Sequence, residues 1–155
     1  MTRLLGVDFG RRRVGLALTD AAALLATPLR VMPAGDGPAD TARRLAALLR
    51  AASPDDPLRE VGAIVVGLPR RLGGEDTDQT PLAREFGRVL ADETGLRVAW
   101  QDERLTSREA ESRLAVRDRD WRSRKARLDA AAAAIILQDY LDARPAATAP
   151  AGDEA

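Results

Sequence analysis

The sequence predicts an α/β fold with a mixed central sheet and helices on both of its faces. Three strand-like segments open the chain, and helical and strand-like segments then alternate. The run VGAIVV at residues 61–66 is continuously apolar, as in strands covered on both sides. We assign residues 1–142 of the 155-residue chain to a single domain and expect the Ala/Pro-rich residues 143–155 to form a disordered tail.

The first third of the chain predicts an antiparallel meander. Leu4–Asp8 is a short apolar strand, and Val14–Thr19 follows it after a turn of only a few residues. Strands joined so closely form a hairpin. Leu29–Met32 is a weaker candidate for the third strand. Residues 33–38 are expected to form a loop, after which Asp40 is expected to cap a helix.

The rest of the chain predicts alternating strands and helices. After the apolar strand at residues 61–66, Thr80-Pro81 has the N-cap and N1 chemistry of a helix start, and Gly95 ends that helix. Arg97–Gln101 is the next strand. The predicted helices that follow begin with a capping box at residues 106–109 and with Leu128, the last one running to Leu141.

The composition excludes several kinds of chemistry. The chain has no His and no Cys, which rules out imidazole bases, thiolate nucleophiles and thiolate zinc sites. A metal site would consist of carboxylates, which favour Mg²⁺ or Mn²⁺. The formal net charge is zero, so binding to nucleic acid would need a local basic patch. No apolar run suits a membrane span or a signal peptide, and we predict a cytoplasmic protein without a membrane partner.

Three carboxylates lie where a cation site is expected. Asp8 ends the first strand, Glu103 follows the strand at residues 97–101, and Asp129 shares the apolar face of the last helix. Each one alone has a structural explanation: an ion pair of Asp8 with Arg13, an exposed Glu103, and a helix N-terminus stabilised by Asp129. Together, at strand ends and on an inward helix face, they indicate a shared cation.

Four motifs in order resemble the YqgF/RuvX family of pre-16S rRNA nucleases, also called Holliday-junction-resolvase-like proteins. The similar segments are GVDFG with RVGLA and TD (residues 6–20), VGLP with Gly74, DERLTS (residues 102–107), and Lys125 with LDAAA and ILQ (residues 128–138). The resemblance implies a ribonuclease-H-like fold and a metal-dependent nuclease that matures the 5′ end of 16S rRNA. By position, its catalytic and metal-binding acids are Asp8, Glu103 and Asp129. Two Mg²⁺ or Mn²⁺ ions held by such acids can hydrolyse phosphodiesters without histidine.

The sequence departs from the family pattern in the loop after residue 66. Arg71 stands where the family often has Asn, and Thr77 stands where a small residue, usually Gly, is expected. Substrate contacts in the loop of residues 70–79 are therefore left open, while the acidic triad is intact.

Two groups of residues are candidates for substrate binding, and each has a structural alternative. Near the acids, Arg11, Arg12 and Arg13 would hold phosphate unless they merely form a charged turn, and the motif adds Arg104, Thr106 and Ser107, of which Thr106 is also an N-cap. Residues 113–127 carry seven basic and two acidic side chains, a local charge of +5. This stretch is either a charged connector or a nucleic-acid surface that includes Trp121, Arg122, Arg124 and Lys125.

Other functions remain open at this point. A resolvase of four-way DNA junctions would share the acids but would need a two-fold dimer, and the sequence allows a monomer or a homodimer. A non-catalytic RNA-binding factor is a further alternative. An ATP-binding module of the actin/sugar-kinase type also places Asp-x-Gly in a hairpin, as Asp8-Phe9-Gly10 does, but it needs a second phosphate loop that this chain lacks.

Overall fold

The computed structural model describes residues 2–103 and 121–144 of the chain. These residues form five strands, three α-helices and a 3-10 turn at Pro57–Glu60. In chain order the elements are β1 (Arg3–Phe9), β2 (Arg13–Thr19), β3 (Ala26–Pro33), α1 (Gly37–Arg50), β4 (Val61–Leu68), α2 (Thr80–Thr94), β5 (Arg97–Asp102) and α3 (Trp121–Ala143).

The strands form one mixed sheet in the order β3-β2-β1-β4-β5. β1, β2 and β3 are antiparallel neighbours, as their short connections require, and β4 and β5 are parallel to β1. Parallel neighbours need a crossover connection, which α1 and α2 provide. The predicted meander followed by alternating helices and strands is confirmed.

The two faces of the sheet are covered by different helices. Leu5, Val7 and Leu16 belong to a core cluster that also contains Leu45 of α1 and Phe86 of α2. The alternate positions along the strands point to the opposite face, where Leu4, Ala17 and Val65 pack with Ala133 and Leu137 of α3. Helices therefore lie on both faces, as predicted, and Asp8 lies on the same face as α3.

Two glycines bring α3 unusually close to the sheet. A Cβ on Gly6 would lie 2.7 Å from the Cβ of Leu137 and 2.9 Å from the backbone oxygen of Ala133. A Cβ on Gly15 would overlap the backbone carbonyl of Asp129. The helix backbone therefore rests directly on β1 and β2, beside Asp8, the cross-strand partner of Gly15.

Several predicted boundaries are wrong, for local reasons. Asp40 does not cap α1: the helix begins at Gly37, with Asp36 in the N-cap position, and the Asp40 carboxylate accepts the Asp36 N–H at 2.8 Å from inside the first turn. β3 is longer than predicted because it pairs with β2 along its whole length, from Ala26 to Pro33.

Both later helices also start earlier than predicted. Thr80 lies within α2, and its hydroxyl donates to the backbone oxygen of Pro69 instead of capping the helix. The described part of α3 begins at Trp121, seven residues before the apolar periodicity that predicted it, and the Arg, Lys and Ala residues in between favour helix.

Some predictions fall outside the described residues. The predicted helix with a capping box at residues 106–109 lies outside them, and so does the tail from residue 145 onward. The domain boundary at residue 142 therefore stays a prediction. In the part of the chain that the structure describes, no helix has the length and apolar character needed to cross a membrane.

Candidate functional site

The end of β1 places Asp8 in a recess between the sheet and α3. The carboxyl group leaves the strand on the α3 face, across from Gly15 on β2. The absence of a side chain at Gly15 leaves room there for the backbone of α3 at Asp129. A carboxylate in such a recess needs a proton or a cation as a partner.

Glu103 reaches the same recess from the end of β5. Its backbone N–H donates to the backbone oxygen of Leu68 at 3.2 Å, which fixes the residue beside the end of β4. Gly67 lies beneath its carboxyl group: a Cβ there would lie 3.2 Å from both Cδ and Oε2 of Glu103. The carboxyl groups of Asp8 and Glu103 are hydrogen bonded to each other.

The pKa values of both acids are raised. For Asp8, burial and then the charge of Asp129 raise the pKa, while the hydrogen bond with Glu103 lowers it. For Glu103, burial, the charge of Asp8 and the hydrogen bond to Asp8 all raise the pKa, and the charge of Asp102 adds to them. Burial and mutual charge repulsion therefore favour a protonated form of the Asp8–Glu103 pair.

Asp129 faces this pair from α3 and is held by an arginine. Its charge acts on Asp8, and its Oδ2 accepts a hydrogen bond from Nε of Arg13 at 2.6 Å. Both side chains of the ion pair are partly exposed, with 37% of the Arg13 side-chain surface and 26% of the Asp129 side-chain surface accessible. Solvent and ligands can therefore reach the ion pair.

The donor set of this site fits a hard divalent cation. The Asp8–Glu103 pair offers neighbouring carboxyl oxygens, which are the ligands that Mg²⁺ and Mn²⁺ prefer, and a bound cation would compete with protons for them. Among the described residues, no group of three or more acidic side chains lies in an arrangement that could hold a metal ion. Asp129 would complete such a group on leaving Arg13. The structure thus brings together Asp8 and Glu103, with Asp129 alongside in an ion pair.

The three arginines of the β1–β2 turn point to different places. Arg13 binds Asp129 on the α3 side, and the Arg12 side chain is exposed. Arg11 contacts the loop before α2: with the Gln79 amide oriented so that its oxygen faces Arg11, that oxygen accepts from Nη2 and Nε of Arg11 at 2.9 and 3.0 Å. Arg11 and Arg13 therefore lie on opposite sides of the strand end, and the role of the three arginines in binding phosphate stays a prediction.

The remaining predicted substrate residues have no described side-chain contacts. Arg104, Thr106 and Ser107 lie outside the described residues. Trp121, Arg122, Arg124 and Lys125 belong to the first two turns of α3, the helix that carries Asp129. Their roles stay predictions.

The loop of residues 70–79 is held by internal hydrogen bonds, although its sequence departs from the family pattern. The Arg71 N–H donates to the backbone oxygen of Glu75, and Gly74, at φ 96°, closes the turn. The Thr77 Oγ1 accepts from the Gln79 N–H at 3.1 Å, and the threonine hydroxyl therefore holds the backbone directly before α2. Sequence reasoning missed Gly15, Gly67 and Gln79 as parts of the site. A glycine inside an apolar strand was the available signal for the first two.

Comparison with known proteins identifies a family to which the chain is similar. The family model RuvX, described as Holliday junction resolvase, matches residues 2–143. A protein of Anaeromyxobacter sp. (strain Fw109-5) named "Putative pre-16S rRNA nuclease" is 44% identical over 144 residues, which cover 93% of this chain and 99% of that protein. A protein of the same name from Clavibacter sepedonicus is 40% identical over 149 residues, which cover 96% of this chain and 88% of that protein.

A solved structure shows the same fold at low sequence identity. The complex of Thermus thermophilus RuvC with a Holliday junction substrate superposes with a TM-score of 0.53 and 19% identity, covering 93% of this chain and 96% of that chain. This likeness confirms the ribonuclease-H-like fold expected from the sequence motifs. With the family model and the relatives, it shows that the chain belongs to the RuvX family of Holliday-junction-resolvase-like nucleases, enzymes that hydrolyse phosphodiester bonds.

Proposed function

We propose that this protein is a divalent-cation-dependent endonuclease that cuts structured RNA and processes the 5′ end of pre-16S rRNA in the cytoplasm. The observation that carries the proposal is the hydrogen-bonded Asp8–Glu103 pair, with Asp129 acting on it from α3. Buried acids that lie this close together cost the fold stability, and such arrangements are typical of sites that bind a cation. The names of the two relatives described above support the substrate.

Asp8, Glu103 and Asp129 are the residues that would hold the cations. Two Mg²⁺ or Mn²⁺ ions bound there would activate water and offset the charge of the attacked phosphate. Because carboxyl groups must lose their protons to bind a cation, cation binding there would release protons to solvent. Arg13 is placed to move from Asp129 to an arriving phosphate, which would free Asp129 for the cation.

A Holliday junction resolvase is the second candidate, favoured by the description of the matching family model. The same acids would serve either substrate, so the active site does not separate the two functions. Symmetric cutting of a junction would require a homodimer with paired sites, whereas cutting of an RNA precursor requires only a monomer.

The test compares two substrates with two proteins. Wild type and Asp8→Asn are assayed on a precursor-rRNA fragment that spans the 5′ end of 16S rRNA and on a four-way DNA junction, with Mg²⁺ or Mn²⁺ present. We expect wild type to cut the RNA and Asp8→Asn to bind it without cutting. Cutting of the junction alone would make the protein a resolvase. Equal cutting by Asp8→Asn would show that the acids are structural.

A further inference from the structure

A second concave site lies at the same end of the sheet as the acids but on the opposite face. It is a cavity of about 280 Å³ lined by Phe9, Arg11, Gly37, Pro38, Thr41 and Leu82. Phe9 follows Asp8 directly in β1, so the two side chains point to opposite faces of the sheet. A ligand lying over the strand end can therefore contact both sites.

The walls of the cavity are flat, apolar and held in place. The Phe9 ring stacks on Phe86 with ring centroids 4.6 Å apart and planes inclined by 24°. The Thr41 hydroxyl is already satisfied, because it accepts the Gly35 N–H at 2.9 Å and donates to the Gly37 oxygen at 2.7 Å. The interior of the cavity is therefore apolar and includes one aromatic ring. Such a surface suits a planar ring system.

The mouth of the cavity is open and carries a positive charge. Gly37 adopts a φ of +91°, and nothing lies within 4 Å of the position that its Cβ would take. Arg11 is exposed and is the charged residue of the cavity lining, with its guanidinium oriented by Gln79. An apolar slot with an arginine at its mouth matches a base and its phosphate.

We propose that this cavity receives one unstacked nucleobase of the RNA substrate, while Arg11 contacts the phosphate of the same nucleotide. The inference rests on the proposed nuclease function and adds to it a requirement for an unpaired or easily unpaired nucleotide near the cut. The neighbouring phosphate along the strand then passes over the end of β1 toward Asp8. Structured RNA with a single-stranded end or a bulge meets this requirement, and uninterrupted duplex does not.

The experiment follows a single fluorescent base. Precursor-rRNA fragments are made with one 2-aminopurine, moved by one position from substrate to substrate across the cleavage region. They are bound by the Asp8→Asn protein in Ca²⁺, so that no cutting occurs. We expect one position to gain fluorescence and to become inaccessible to acrylamide, because that base leaves the stack and enters the cavity.

Two matched variants on the same Asp8→Asn background assign the signal to the cavity. Leu82→Trp fills it from the first turn of α2. Leu96→Trp fills a cavity of about 200 Å³ at the other end of α2, remote from the acids. We expect Leu82→Trp to abolish the signal and to weaken binding about 5- to 100-fold, the range expected when one base no longer stacks. Leu96→Trp should keep the fluorescence signal and the binding affinity. Melting curves check that each variant is folded.

The outcomes separate this inference from the function on which it rests. A full signal with Leu82→Trp, or tight binding without a signal at any position, overturns the base site and leaves the nuclease function standing. Wild-type protein that neither binds nor cuts the RNA overturns both. Saturation by a free nucleoside monophosphate, with no signal from RNA, would show a small-molecule site instead and would also overturn the proposal.

Discussion

At Asp129, one carboxylate has two competing partners. Arg13 binds it at 2.6 Å, and a cation bound by Asp8 and Glu103 would need it as well. If arriving phosphate draws Arg13 away, binding of nucleic acid and binding of cation support each other. The arginine then keeps the site incomplete until substrate is present.

Replacing Arg13 tests this competition. In Arg13→Gln, we expect Mn²⁺ to bind more tightly than to wild type in the absence of nucleic acid, because Asp129 is released. Nucleic acid should bind more weakly, because the guanidinium that would hold a phosphate is gone. Calorimetry measures both affinities. Arg12→Gln removes the same charge from the neighbouring, exposed position and should leave the Mn²⁺ affinity nearly unchanged. Equal Mn²⁺ affinities for Arg13→Gln and wild type would contradict the competition.

The Asp8–Glu103 pair predicts a pH-dependent cost to stability in the metal-free protein. Folding raises the pKa of both acids, so the folded state binds more protons than the unfolded state above about pH 4, the ordinary carboxyl range. The free energy of unfolding therefore falls as the pH rises from there toward the raised values, and it is highest where both states are protonated.

Glu103→Gln should remove much of this cost. The amide can still donate a hydrogen bond to Asp8 but carries no charge. In chelator at pH 8, we expect the variant to be more stable than wild type by on the order of 1–3 kcal/mol, with a smaller difference at pH 5. Urea unfolding at the two pH values measures it. A variant that is less stable at pH 8 would mean that the charge of Glu103 stabilises the fold.

At the scale of elements, the seating of α3 on glycine decides the geometry of the site. In Gly15→Ala, the new methyl group would overlap the Asp129 carbonyl, which is backbone and cannot move alone. We expect a loss of about 1–3 kcal/mol in stability, a common cost of overpacking, and a larger loss of cleavage, because Asp129 moves with the helix. Gly62→Ala, where the methyl would meet the Thr2 side chain at 2.7 Å rather than a helix backbone, is the control in the same sheet; it should cost less stability and retain cleavage.

The basic first turns of α3 are proposed to bind the nucleic acid backbone. Changing Arg122, Arg124 and Lys125 to Ala should weaken binding and lower the salt slope by about one unit for each phosphate that is no longer neutralised. Changing Arg43, Arg84 and Arg88 on α1 and α2, which are exposed on the other face, removes equal charge and should have little effect. If the two triple variants behave alike, the segment is only a connector.

Helices and strands could be predicted from the sequence where one periodicity dominated. The pairing of side chains could not be predicted. The apolar strands β1, β2 and β4 and the packed face of α3 follow from local pattern. The start of α1 was misplaced because the Asp40 carboxylate serves a backbone N–H from within the helix, a choice that depends on the preceding loop. The sequence predicted that three acids share one site, and the role of Asp129 in it stays a prediction. The ion pair of Asp129 with Arg13 joins residues 116 positions apart, and spacing carries no information about it.

For the whole molecule, the identity of the cation should separate binding from catalysis. With Mg²⁺ or Mn²⁺ the protein should cut RNA, and with Ca²⁺ it should bind RNA and cut orders of magnitude more slowly. Ca²⁺ has the same charge and the same preference for oxygen, but its longer bonds and variable coordination place water and phosphate less accurately. Binding and single-turnover cleavage, measured in each cation, test this. Fast cutting in Ca²⁺ or in chelator would contradict a cation-dependent mechanism.

The position of Asp129 on the last described helix also sets the time at which activity can begin. β1 with Asp8 is made first, Glu103 follows, and α3 brings both the third acid and the apolar cover for one face of the sheet. A chain still under synthesis can form the β1–β2 hairpin, but without α3 it lacks the third acid and the site is incomplete. Under the proposed function, this order would keep each nascent copy from cutting RNA until α3 has been made and has folded onto the sheet.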